Sequence, residues 1–203
     1  MPGIEGATAH REYFNQKARE WDNLLSEETI RCLRTIVEEL NLRPGSHILD
    51  VGTGTGVLLP FLVQAAGRDG RVVALDIAEE MLARAKAKNF ENVEYIVGDI
   101  TCPPLEGDSF DEVICNSCFP HVTDKPRALR EMVRLLKPGG RLVICHPMSR
   151  EAVNELHKAI GGVVGHDLLP DDEEMKELCR QAGLKEVRIV NTPEKYLLTA
   201  RKP

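Results

Sequence analysis

The chain has 203 residues, 42% of them hydrophobic and 29% charged, with a formal net charge of -6. The apolar share is enough for one α/β core and argues against disorder. The negative balance, without a basic run, argues against a nucleic-acid partner, and 4% aromatic content argues against a site of stacked rings.

Taken in chain order, a polar start leads to a helix from Ser26 to Leu40. Ile30, Leu33, Ile36, Val37 and Leu40 recur at helical spacing there, and Ser26 before Glu27 and Glu28 reads as its N-cap. Pro44-Gly45 is a turn, and His47 to Val51 is a short buried strand that runs into a glycine-rich loop. Val57 to Ala66 is helical, Arg71 to Asp76 is the second strand, and Ala78 to Lys88 is a helix with Met81, Leu82 and Ala85 inward. Val93 to Val97 is the third strand, closed by Gly98-Asp99, and Asp111 to Asn116 is the fourth. An amphipathic helix from Lys125 to Leu136 is expected to stop and turn at Lys137-Pro138-Gly139-Gly140, before a fifth strand from Arg141 to Cys145. Helices over Arg150–Ile160 and Asp171–Ala182, with Gly161-Gly162 between them, precede two paired strands, Glu186–Val190 and Tyr196–Arg201. Strands alternating with helices at short spacing imply right-handed crossovers and a mostly parallel seven-stranded sheet, with helices on both faces and an antiparallel C-terminal edge.

Six cysteines, at 32, 102, 115, 118, 145 and 179, read as free thiols. Met1 to His10 lacks the apolar core of an export signal, and no apolar run approaches the ~20 residues of a membrane span. A cytoplasmic protein with no membrane contact is expected. The C-x-x-C spacing of Cys115 and Cys118 lacks a second pair and is read as neither a zinc knuckle nor a redox pair.

The loop Asp50-Val51-Gly52-Thr53-Gly54-Thr55-Gly56 joins the first strand to a helix, where glycines let the backbone approach a ligand. Its G-x-G-x-G spacing differs from the G-x-G-x-x-G of nicotinamide enzymes. The acid before it suits a cationic ligand better than a pyrophosphate, so a nicotinamide-dependent oxidoreductase is disfavoured. Ile48 to Leu58, I-L-D-V-G-T-G-T-G-V-L, resembles the first motif of class I S-adenosylmethionine-dependent methyltransferases of the small-molecule type. Asp76 follows Gly56 by twenty residues, and Gly98-Asp99-Ile100, Phe110 to Ile114 and Leu136 to Gly140 are similar to later motifs of that family.

The resemblance implies a Rossmann-like α/β fold binding S-adenosylmethionine and releasing S-adenosylhomocysteine. It implies a donor site of Asp50, Gly52, Thr53, Gly54, Gly56, Asp76, Ile77, Met81, Gly98, Asp99, Ile100 and Asn116. Asp76 would take the ribose hydroxyls and Asp99 the adenine amine. Tyr13 to Asp22 resembles the helical cap of the small-molecule branch, with Phe14 and Trp21 as its aromatic residues. Residues 1–203 then form one methyltransferase domain, with about 1–40 as the cap and about 147–170 as an acceptor-side insertion.

Asn116-Ser117-Cys118-Phe119-Pro120-His121 departs from the Asn/Asp-Pro-Pro-Tyr of adenine and glutamine N-methyltransferases, which argues against that mechanism. His121, His146, His157 and His166 fall where the acceptor should lie, whereas His10 and His47 are expected to stand apart. Two readings stand side by side: one of the four histidines is a general base, or several, with Asp167 or Cys118, hold a divalent metal. The expected partner is a small-molecule substrate. Alternatives are methylation of a protein or tRNA, and a non-catalytic protein that only binds S-adenosylmethionine. The terminal strands offer an edge for a homodimer.

Overall fold

A computed structural model describes residues 2–203, with side chains from Gly6 onward. Met1, where the expected cap begins, lies outside the described residues. The elements are α1 (Pro2–Lys17), α2 (Glu27–Leu40), β1 (His47–Val51), α3 (Leu59–Ala66), β2 (Arg71–Asp76), α4 (Glu79–Ala87) and β3 (Val93–Val97). They continue with β4 (Phe110–Asn116), α5 (Lys125–Leu135), β5 (Leu136–His146), α6 (Arg150–Ile160), α7 (Asp172–Gln181), β6 (Lys185–Thr192) and β7 (Lys195–Arg201). Short 3-10 turns at Trp21–Leu24, Phe119–His121 and Gly162–Val164 carry residues that matter below.

The seven strands form one sheet in the order β3-β2-β1-β4-β5-β7-β6. The first five are parallel, and β7 runs antiparallel between β5 and β6. Side chains alternate across the sheet, so each strand feeds two cores. Leu49, Val73, Val113 and Leu142 pack with Leu129 and Met132 of α5 and Met175 of α7. Ile48, Val72, Ile114 and Val143 pack with Leu33 and Ile36 of α2 and Leu59 and Leu62 of α3. The expected N-cap of α2 is present: the Ser26 side chain accepts the Thr29 N–H at 3.0 Å.

One expectation changes. Lys137 to Gly140 is not a turn. Leu136 is already extended (ψ 138°) and sits opposite Phe110, and the ladder shifts register before Glu112. The segment keeps its strand character because its backbone finds partners: the Gly139 N–H donates to the Lys202 carbonyl and the Lys202 N–H to the Gly140 carbonyl. The polar start is helical, with α1 over Pro2–Lys17 inside the stretch expected as a helical cap. No helix among the described residues is long and apolar enough to cross a membrane.

Candidate active site

Strand order reverses at β1, whose neighbours are β2 and β4. At such a point the loops beyond the strand ends part and leave a crevice. The loop after β1 lies in that crevice. Gly52 (φ +67°) passes so close to the turn after β4 that a Cβ would stand 2.3 Å from Cys118 Sγ, whereas a Cβ on Gly54 (φ +55°) would meet nothing within 4 Å. Gly56 turns the chain back, its N–H donating to the Thr53 carbonyl.

Two acids flank this loop. Asp50 is 1% exposed, and one carboxylate oxygen accepts the Thr53 hydroxyl at 2.7 Å. Burial pushes its carboxyl up to about 7; Thr53 opposes the rise and the nearby Asp76 charge adds to it. Asp76 accepts the Gly54 N–H at 2.7 Å on one oxygen and the Ala78 N–H at 2.8 Å on the other. Burial lifts it to about 6 against those backbone donors. A buried acid close to its neutral form is poised to gain a positive or hydroxyl-bearing partner.

Further along the crevice, a cleft of about 700 Å³ is lined by Ile77, Gly98, Asp99 and Thr101, with Arg11 of α1 opposite. One Asp99 oxygen accepts the Thr101 N–H at 2.8 Å. Met81, Ile100 and Asn116 are buried. The Asn116 side-chain oxygen is approached by the Ser117 hydroxyl at 3.3 Å and the Cys145 thiol at 3.7 Å.

The N-terminal elements cover this loop. Arg11 grips Glu79 through two hydrogen bonds of 2.8 and 2.7 Å, and Asn15 accepts the Glu80 N–H at 3.0 Å. Asp22 accepts the Thr55 hydroxyl and pairs with Lys88 at 3.1 Å. Between these contacts Phe14 and Trp21 meet edge to face, with centroids 5.6 Å apart, and pack against Ala18, Ala78 and Met81.

On the other side, three histidines gather around Asp167. The same carboxylate oxygen lies 2.8 Å from His10 Nε2 and 2.7 Å from His121 Nδ1. His157 Nδ1 stands 2.6 Å from the Asp167 backbone carbonyl, and its ring centroid is 4.7 Å from that of His121. The loop is pinned to α6 a second time by Asn154, which exchanges two hydrogen bonds with the Leu169 backbone at 3.0 and 2.8 Å. Burial of the Asp167 carboxyl would raise it, but the two imidazoles outweigh that and hold it far below the carboxylate range. The hydrogen bond to Asp167 raises His10. In His121 burial wins over the same partner and pushes the imidazole down. Among the described residues, one ligand atom each from His10, His121 and Asp167 lie within 4.8 Å of one another.

Of the four histidines expected on the acceptor side, His121 and His157 are in this cluster. His146, 2% exposed, lies beside Tyr196; its Nε2 and the Tyr196 hydroxyl have no hydrogen-bond partner. Burial pushes His146 down to about 3. His166 is exposed and lines an open groove with Lys125 and Arg150. Sequence reasoning set His10 apart, yet α1 delivers it to the cluster. The helical cap expected over about 1–40 contains residue 10, but no local pattern ties that residue to Asp167. His47 stays outside, at the start of β1.

Comparison with known proteins gives consistent likenesses. The family described as a methyltransferase domain matches residues 42–195. A ubiquinone/menaquinone biosynthesis C-methyltransferase of Enterobacter sp. strain 638 is 32% identical over 186 residues, covering 78% of this chain and 74% of that protein. A 37.1 kDa protein of transposon TN4556 in Streptomyces fradiae is 38% identical over 129 residues, which are 62% of this chain and only 37% of that protein. The crystal structure of an S-adenosylmethionine-dependent methyltransferase from Aquifex aeolicus superposes with a TM-score of 0.73 at 25% identity, covering 92% of this chain and 96% of that one.

Proposed function

The chain belongs to the class I S-adenosylmethionine-dependent methyltransferases, and from that premise we propose that it methylates a small-molecule acceptor held between the donor loop and the Asp167 cluster. The observation that carries this reading is the position of Phe14. Its ring meets His121 edge to face at 5.0 Å, and it packs with Trp21 onto Ala78 and Met81 beside the donor loop. One side chain of the cap thus touches both the donor-loop side and the cluster side, so a donor and an acceptor bound on either side of it would share an apolar boundary.

In this reading Asp50 faces the positive end of the donor, Asp76 takes the ribose hydroxyls and Asp99 the adenine amine. Gly54, with open space where a Cβ would stand, supports close approach of the ligand to the backbone. Gly52, Thr53 and Gly56 shape the loop, and Ile77, Met81, Gly98, Ile100 and Asn116 line its surroundings. S-adenosylmethionine supplies a methyl group already activated on a sulfonium. The chain therefore contributes alignment and exclusion of water rather than covalent help. The imidazoles near Asp167 serve the acceptor: they orient a hydroxyl, thiol or amine and help to part it from its proton. The net charge of -6 and the confinement of the cluster under α1 favour a small acceptor over a polynucleotide. The name of the Enterobacter relative, an enzyme of quinone biosynthesis, points the same way.

The test uses S-adenosylmethionine labelled in the methyl group, a cell extract split into small-molecule and macromolecular fractions, and calorimetric titration with S-adenosylhomocysteine. Label should enter the small-molecule fraction. His121→Ala and His157→Ala should lower that transfer at least about tenfold, the loss of one proton-handling group, with S-adenosylhomocysteine affinity within about twofold of the parent. His166→Ala should leave transfer unchanged, and His146→Ala reports on the buried pair with Tyr196. Label found only in protein or RNA would overturn the small-molecule reading.

A further inference from the structure

The structure points to a site for a divalent transition-metal ion, and we propose that His10 Nε2, His121 Nδ1 and the Asp167 carboxylate hold it. The inference deepens the reading of the acceptor side given above.

The donors come from three remote parts of the chain: α1, the 3-10 turn after β4, and the loop between α6 and α7. Nothing local brings them together; the fold does. Their side chains are only 11 to 13% exposed. The two contacts of the shared oxygen, 2.8 and 2.7 Å, are hydrogen-bond distances and shorter than the roughly 3.0 Å (octahedral) to 3.4 Å (tetrahedral) ligand–ligand edges of a shell with bonds of about 2.1 Å, so an entering ion would part the donors by a few tenths of an ångström. All three atoms lie within 4.8 Å of one another, so a shift of under about an ångström brings them to one centre with such bonds.

Hydrogen-bond accounting supports a cation there. His10 Nδ1 is 2.8 Å from the Gly6 carbonyl, which accepts and cannot donate, so Nδ1 carries the hydrogen. In the neutral ring Nε2 then has only a lone pair, and it faces a carboxylate oxygen at 2.8 Å. Two acceptors at that distance need a positive centre: a second proton on the ring or a metal ion. An imidazole that gives its far N–H to a backbone carbonyl is also how metal-bound histidines are held. The carboxylate has its own support, because His157 Nδ1 and Asn154 tie down the loop that carries it.

The donor set selects the ion. Two imidazoles and one carboxylate suit zinc, ferrous iron, cobalt or nickel, while magnesium and calcium prefer all-oxygen shells. Three protein donors leave positions open for the acceptor. That favours an acceptor with its own metal-binding atom, such as a thiol, phenol or chelating hydroxyl. Because His10 belongs to α1, the ion would also fasten the cap to the acceptor side.

The experiment uses full-length untagged protein, stripped with chelator and dialysed against zinc, cobalt or magnesium. Bound metal is measured by mass spectrometry, cobalt by its visible absorption, and S-adenosylhomocysteine by calorimetry. One zinc or cobalt per chain and little magnesium is expected. His10→Ala, His121→Ala and Asp167→Asn should each weaken metal binding by more than the 10- to 100-fold typical of supporting residues, while His166→Ala should not. His10→Gln covers the case in which His10→Ala disturbs α1, and should also lose the metal. Protein that binds S-adenosylhomocysteine but neither metal, or that binds metal equally in all variants, overturns the site. Protein that binds metal but no S-adenosylhomocysteine leaves the site standing and overturns the donor reading instead.

Discussion

At the scale of single residues, the two glycines that open the donor loop have different tasks. Gly52 is left-handed and crowded; Gly54 is left-handed and faces open space. Gly52→Ala should therefore cost about 2–4 kcal/mol of stability in urea unfolding, from backbone strain plus the clash with Cys118. Gly54→Ala should cost about 1–2 kcal/mol from strain alone, yet weaken S-adenosylhomocysteine on the order of tenfold, because the new methyl stands where a ligand would approach. Equal losses of stability and affinity in both variants would refute that division. The place of the loop after β1 and of the acids beside it was legible because short-range spacing carries them: an acid, three glycines and an acid at the end of the next strand. The cluster around Asp167 was legible only in part. His121 and His157 lie after strands or on helices that chain order assigns to one side, but no local pattern connects residue 10 to residue 167. Asp167 entered as one possible companion of the histidines in a metal site, beside Cys118, with nothing local to choose between them.

At the scale of elements, α1 and the turn at Trp21–Leu24 are held by side-chain contacts at their edges and one small apolar patch. The pairs of Arg11 with Glu79 and Asp22 with Lys88 are well exposed and screened by salt. Such a segment opens locally more readily than the sheet. Trypsin cleavage after Lys17 or Arg19 should slow at least about tenfold at S-adenosylhomocysteine concentrations near a hundred times its Kd, since the ligand favours the closed form. Cleavage that stays unchanged at saturation would mean that the cap and the donor site are independent. Helical periodicity identified α2 to α7 within a residue or two, because each buries a stripe of regularly spaced side chains. It missed most of α1, which is held by scattered polar contacts. It also placed β5 too late, because glycine and proline read as a turn until the pairing of Gly139 and Gly140 with Lys202 makes them sheet.

At the scale of the whole molecule, two buried acids set a pH dependence. The folded values of Asp50, about 7, and Asp76, about 6, lie above the roughly 3.9 of an unfolded aspartate. At these two sites the folded protein thus binds more protons than the unfolded chain between those limits, and their contribution to stability falls as pH rises through the window. The buried His146, held at about 3, works the other way below the ordinary imidazole value, so the readout is the difference between parent and Asp50→Asn in urea unfolding of the ligand-free protein, which should fall by about 2–3 kcal/mol between pH 5 and pH 8. The comparison isolates Asp50, whose close surroundings include Thr53, Asp76 and the Cys115 and Cys145 thiols. A slope identical in parent and variant would show that Asp50 ionises without cost. The strand order itself, β3-β2-β1-β4-β5-β7-β6, was legible to the extent that alternating elements and right-handed crossovers restrict it.

One helix holds Arg11 and Asn15 against α4 on one flank and His10 against Asp167 on the other. Lifting that helix would break both sets of contacts together, so in the proposed reading an opening made on one flank is felt on the other. A compound wedged under either flank would then disturb both.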